Sequence, residues 1–235
     1  FLSITLFACV KKQVPNNKTT SNNAISNDSM KPFSITAATK NEFLSAKKEY
    51  KNKLLFDSND IKKKNGKIKL PVNLKWKPFY IFKDTSSVND ETNMSKYQYL
   101  GRFANVGFYV VAGHFFEHYE CYLINKSTGV NTTIWNTPYI SPNDKYIANL
   151  SMEYGLEGVA NGIQIWKIVK QELNQEEPIT IEKFLELDQM IWVPKDVVWE
   201  NDNSLILKVI SVENQLKEIT QIKRNDYYFL RVNLQ

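Results

Sequence analysis

From Lys67 onward the chain alternates. In KIKLPVNLKW, Ile68, Leu70, Val72, Leu74 and Trp76 take every second position, the period of a strand with one buried face. Asn65-Gly66, just before it, is a strong chain-reversal pair. Short runs rich in Tyr, Val, Ile and Trp follow: YQYLGRF, GFYVVAG, YECYLIN, NTTIW, KYIANL, GIQIWKIV, DVVWE, SLILKVIS and YYFLRVNL. Polar turns separate them, namely NKSTG, SPNDK, ENDNS and KRND. Short, regularly spaced strands with such punctuation predict antiparallel meanders. Pro71 assigns its strand to an edge or a break. TIEKFLELD (180–188) fits a short helix and a strand equally well. Residues 41–55 read as a helix, with an apolar stripe through Phe43, Leu44, Ala46, Tyr50, Leu54 and Leu55 and Asn41 as N-cap. The expected fold class is mainly β, an antiparallel meander arranged as an incomplete propeller-like stack or a twisted sandwich, with one short N-terminal helix. An apolar share of 43% with 13 Phe and 12 Tyr can fill a core of this kind. Eight glycines are few for it, so the turns must rely on Asn, Asp and Ser.

The first nine residues, FLSITLFAC, are mostly apolar and uncharged. They resemble the end of a bacterial lipoprotein signal peptide, with Leu6, Phe7, Ala8 and Cys9 as the lipobox. Phe7 departs from that family's preference for a smaller residue. The resemblance implies that Cys9 is acylated and becomes the first residue of the mature protein. Residues 10–40 begin VKKQVPNNKTTSNNAISNDSMKP, nearly empty of large apolar side chains. Such a stretch buries too little to offset its ordering entropy and is expected to be a disordered tether. The expected organisation is therefore a signal remnant at 1–9, a tether at 10–40 and a β-rich globular domain at 41–235. With Cys9 acylated, Cys121 has no partner for an internal disulfide and reads as a small buried hydrophobe.

Charge is unevenly spread. Residues 10–70 hold 14 lysines against 5 carboxylates, and residues 71–235 hold 16 Lys or Arg against 20 carboxylates. The basic run around KKKNGK lacks arginines and interleaved aromatics, so no nucleic-acid partner is expected. It reads as a solvated hairpin near anionic head groups.

ISPNDKYIANL (140–150) and VWENDNSLILK (198–208) form a weak repeat, each an apolar entry, an Asn-Asp pair and a strand. The first copy resembles the SPDGKYIA hairpin of TolB-like β-propeller blades, with Asn143-Asp144 where that family has Asp-Gly. GIQIWKI then resembles the next strand of a blade. About 160 β-rich residues hold three blades at most, too few to close an ordinary propeller.

The only two histidines, His114 and His118, lie in HFFEH, which matches the inverted zincin pattern H-x-x-E-H. On a helix they would share a face and could hold Zn²⁺, with Glu117 polarising a water. The flanking residues Phe108–Val111 and Tyr119–Ile124 are β-prone, and a hairpin Phe108–Ala112 / Phe116–Ile124 with His114 in its turn accounts for them all. Two histidines four apart on one strand would lie about 13 Å apart, too far for one metal with ligands near 2 Å. No further helix follows to supply a third ligand. The chain is therefore expected to carry no catalytic residue, no metal and no cofactor. It contains no nucleophile elbow, phosphate-cradling loop or EF-hand spacing. The five tryptophans are expected mainly in the core.

These features point to a lipid-anchored protein of the bacterial cell envelope, outer membrane favoured. Its expected role is that of a non-enzymatic binding or assembly module with a protein partner. Two loops are candidate contacts, one holding Lys126, Ser127 and Thr128, the other Glu153, Tyr154 and Glu157. One alternative is an immunity-type lipoprotein whose acidic loop Glu153–Glu157 blocks a toxin. Another is a zinc hydrolase built on His114 and His118.

Overall fold

A computed structural model describes residues 32–57, 60–85, 93–152, 158–170 and 178–235. Cys9, the expected tether up to Lys31, and Glu153, Tyr154 and Glu157 lie outside the described residues. The described chain is mainly β, with every sheet antiparallel.

A hairpin, β2 (Lys67–Pro71) and β3 (Phe79–Lys83), forms one end of the stack of described sheets. Next comes a meander of β4 (Ser95–Phe103), β5 (Phe108–Phe115), β6 (Tyr119–Asn125) and β7 (Asn131–Ile134). A second meander follows, with β8 (Tyr139–Ile140), β9 (Tyr146–Met152), β10 (Asn161–Val169) and β11 (Thr180–Asp188). The third sheet runs β12 (Trp192–Trp199), β13 (Ser204–Ser211), β14 (Tyr227–Leu234) and then β1 (Phe33–Ala38), with a short α2 (Val212–Gln215) after β13.

The sheets stack face to face, and each inner sheet is covered on both sides. Ile68, Leu70 and Phe82 of the hairpin pack on Tyr99, Val111 and Ile124 of the first meander. Its opposite face, with Phe108, Val110 and Leu123, meets Ile140 and Ile147 of the second. Ile163 and Ile165 of the second then meet Trp199, Leu205 and Val232 of the third. Beyond the third sheet lies α1 (Lys40–Glu49), whose Phe43 and Ala46 cover Val198 and Ile206. A hairpin and an amphipathic helix thus cap the two ends, as terminal elements with one polar face do in stacked architectures.

This layering explains the sequence pattern. β2 alternates exposed and buried because only one face of the hairpin is covered. β5 buries Phe108 through Gly113 without a break because both its faces are covered, and such strands read as continuous apolar runs. TIEKFLELD is a strand, β11, at the edge of its sheet. Its charged side chains suit an edge that must not pair with another chain. The two copies of the weak repeat occupy matching places, since β8–β9 and β12–β13 each open a sheet.

Two boundaries differ from expectation. Residues 33–38, expected in the tether, belong to the β-rich unit Pro32–Gln235. FSITAA is a strand, paired along its whole length with β14 from Phe33↔Leu234 to Ala38↔Phe229. The helix spans Lys40–Glu49 rather than 41–55, and its cap is Thr39 rather than Asn41. The Thr39 hydroxyl accepts from Glu42 N, and Glu42 Oε2 accepts from Thr39 N at 2.7 Å. That reciprocal pair needs Ser or Thr followed three residues later by Glu or Gln, and Asn41 is followed by Leu44.

Candidate binding site

β5 and β6 form the expected hairpin, so the helix that the zinc reading requires is absent at residues 108–125. The turn lies three residues later than expected, between Phe115 and Tyr119. His114 sits within β5 opposite Tyr119, and the reversal is made by Phe116 and Glu117, with Phe115 N donating to His118 O at 3.0 Å. Glu117 takes φ +61°. Both histidines are exposed. His118 stacks on the Phe115 ring at 4.5 Å, while His114 meets Tyr119 edge-on at 5.1 Å. Among the described residues, no group of three or more His, Cys, Asp or Glu side chains is gathered where it could hold a metal ion. Cys121 is fully buried, and burial pushes its thiol up to about 12, far from the thiolate that nucleophilic chemistry needs.

His118 instead borders a cleft of about 540 Å³ between the first and second meanders. One wall carries His118, Glu120 and Trp135, from the β5–β6 turn, β6 and the end of β7. The facing wall carries Gln164 of β10 with Lys183 and Glu186 of β11. Their positions follow from strand alternation. β10 turns Ile163 and Ile165 toward the third sheet, so Gln164 between them points the other way, toward the first meander. There its Oε1 accepts from Trp135 N at 3.3 Å, and Asn149 Oδ1 accepts from the same nitrogen at 3.0 Å. Gln164 Nε2 donates to Glu186 Oε2 at 2.7 Å. Lys183 Nζ reaches the same oxygen at 2.5 Å and stands 5.5 Å over the Trp166 ring. Buried amides thus tie the rims of two different sheets together, leaving charged and aromatic groups around the opening.

The Lys183 ammonium, and after it the Gln164 amide, holds the Glu186 carboxyl below the usual carboxylate range. It is a fixed negative charge at neutral pH and a poor proton donor. Glu120 turns its carboxylate to the other face of β6, the one packed on the hairpin, where it accepts from the Tyr122 hydroxyl, whose own acidity is suppressed first by burial and then by that carboxylate. The cleft therefore presents one carboxylate, one ammonium and an indole, with an imidazole at its rim. Such a set can orient a polar ligand by charge and hydrogen bonds.

No family model, curated protein or solved structure matches the chain.

Met152 and Gly158, which flank residues 153–157 in sequence, line this cleft. Lys126, Ser127 and Thr128 lie at the other end of β6, a strand of about 20 Å. Their loop is held by internal bonds. Asn125 Oδ1 accepts from Ser127 N and Thr128 N, and Lys126 gives its carbonyl to Asn73 N and its N–H to Gly107 O. Reading motifs along the chain missed Gln164, Lys183 and Glu186. The available clue was Asn149 and Gln164, each a polar residue flanked on both sides by buried apolar ones. Of the tryptophans, Trp192 and Trp199 are buried, Trp135 and Trp166 half-buried, and Trp76 exposed.

Proposed function

We propose that this chain is a lipid-anchored module of the bacterial cell envelope that binds a protein partner in the cleft between its first and second meanders. The supporting observation is the cleft itself. Its walls belong to separate sheets locked by Asn149 and Gln164 around the Trp135 backbone, so charged and aromatic groups are held ready for a ligand. Preorganised groups lose little freedom on binding, and a half-buried tryptophan beside charged residues has the composition of an interaction hot spot. The anchor rests on Leu6-Phe7-Ala8-Cys9. Among the described residues, no helix is long and apolar enough to cross a membrane.

The test has two arms. Bacteria expressing the natural gene are fed an alkyne-labelled fatty acid; label should appear on the protein and vanish in Cys9→Ser. Equal labelling of both, or of neither, removes the anchor. Separately, tagged wild type is used to capture partners from native membranes beside Trp135→Ala and Lys183→Glu. A partner recovered with wild type should fall about tenfold or more with Trp135→Ala. Identical recovery with all three proteins rejects the cleft as the contact.

A further inference from the structure

The outer face of the β2–β3 hairpin lies at the end of the stack, and no described sheet covers it. Its cross-strand pairs are Lys67↔Lys83, Lys69↔Ile81 and Pro71↔Phe79. All six side chains are exposed, while Ile68, Leu70 and Phe82 point inward and are buried. Ile81 is 50% exposed and Phe79 43%; at the hairpin tip Trp76 is 79% exposed. Lys62, Lys64, Lys67 and Lys69 line a groove beside β2, with Asp60 and Phe79 also at its rim. Residues 60–85 contain eight lysines and two aspartates. One of those aspartates, Asp84, is engaged by Lys63 and by Tyr97 N.

Lysines along an exposed edge are by themselves the ordinary protection of a sheet against pairing with another chain. That purpose does not call for Ile81, Phe79 and Trp76 among them. Lysines that reach past exposed apolar side chains, with a tryptophan at the margin, are what an anionic bilayer surface recognises. The ammonium groups meet lipid phosphates, the aliphatic stems lie along the interface, and the apolar groups enter the acyl boundary. A nucleic acid would satisfy the lysines, but it would leave Ile81 without an apolar partner and lacks arginines to grip its phosphates.

We propose that the outer face of the β2–β3 hairpin docks on an anionic lipid bilayer, through Lys67, Lys69 and Lys83 and the apolar wedge of Trp76, Phe79 and Ile81. The proposal goes beyond the cleft and needs no acyl anchor, so its failure and that of the function proposed above are separable. A docked hairpin leaves the cleft, on the far side of the first meander, clear of the membrane.

The full chain carrying Cys9→Ala is sedimented with vesicles of phosphatidylglycerol and phosphatidylcholine, and with phosphatidylcholine alone. Binding should require phosphatidylglycerol and weaken with salt. Each of Lys67→Glu, Lys69→Glu and Lys83→Glu should lower partitioning by about fivefold or more. Ile81→Ser with Trp76→Ser should lower it about tenfold. All five positions are exposed, and circular dichroism and melting temperature verify that each variant folds. Equal binding to both vesicle types, or loss with the lysine variants but none with the apolar pair, overturns the proposal. So does a single-stranded oligonucleotide that binds more tightly than the vesicles and competes with them.

Discussion

At Gly162 the backbone has φ +152°, and a Cβ there would lie 1.9 Å from the Leu187 carbonyl oxygen. The glycine opens the strand run GIQIWKIV and sits inside β10, where β11 approaches too closely for any side chain. Arg231 is unremarkable in sequence. Its Nη2 donates to Glu42 at 2.7 Å, and its Nε donates to Glu200 at 2.7 Å, linking α1 to the third sheet. The Thr39 hydroxyl, and then Arg231, holds the Glu42 carboxyl at about 2 instead of its ordinary 4.5. Since the folded value lies below the unfolded one, this contribution is complete above pH 4.5 and is lost as the pH falls toward about 2. The melting temperature of wild type should therefore drop through that window, and that of Glu42→Gln should drop less steeply. Superimposable pH profiles for the two proteins would show that Glu42 carries no such linkage.

At the scale of elements, the helix shows how a local rule can be present and still be missed. Thr39-x-x-Glu42 is a capping box that lies in plain view in the sequence. The apolar stripe, however, continued to Leu55 and drew the helix too far. Past Glu49 the chain is extended, and Leu55 pairs with Arg102 instead. Thr39→Ala removes the hydroxyl that accepts from Glu42 N and should cost about 1 kcal/mol in urea denaturation. Thr39→Ser should cost much less. If both lose the same amount, the capping oxygen is not what holds the helix start. The hairpin β5–β6 was legible because its flanks are β-prone. Its turn was displaced by three residues because Gly113 drew the reversal toward itself. Gly113 is instead buried within β5, where a Cβ would meet the Phe115 and Tyr122 rings at 2.8 Å.

For the whole molecule the largest departure is β1. FSITAA is half-exposed and follows a polar stretch, so it looks like the end of a tether. Its partner, β14, lies almost two hundred residues away, and nothing in the local composition announces that pairing. Deleting residues 33–38 would leave β14 with an open edge. The truncated protein should associate in a concentration-dependent manner by sedimentation velocity, because an unpaired strand edge invites another chain. A truncated protein that stays monomeric with an unchanged melting temperature would show that β1 is dispensable. The cleft belongs to the same scale. Its walls come from residues 118–136 and 151–186 and meet only because the first and second meanders stack.

Period-two alternation, turn chemistry and β-branched runs act between near neighbours, so the residue order alone determined the β character, the hairpin positions and the equivalence of the two repeat copies. Which sheet lies on which, that the last sheet borrows its fourth strand from the start of the chain, and that a polar cleft opens between two meanders were decided by tertiary structure. Those outcomes depend on which apolar faces find each other across long loops, and a buried face carries no label naming its partner.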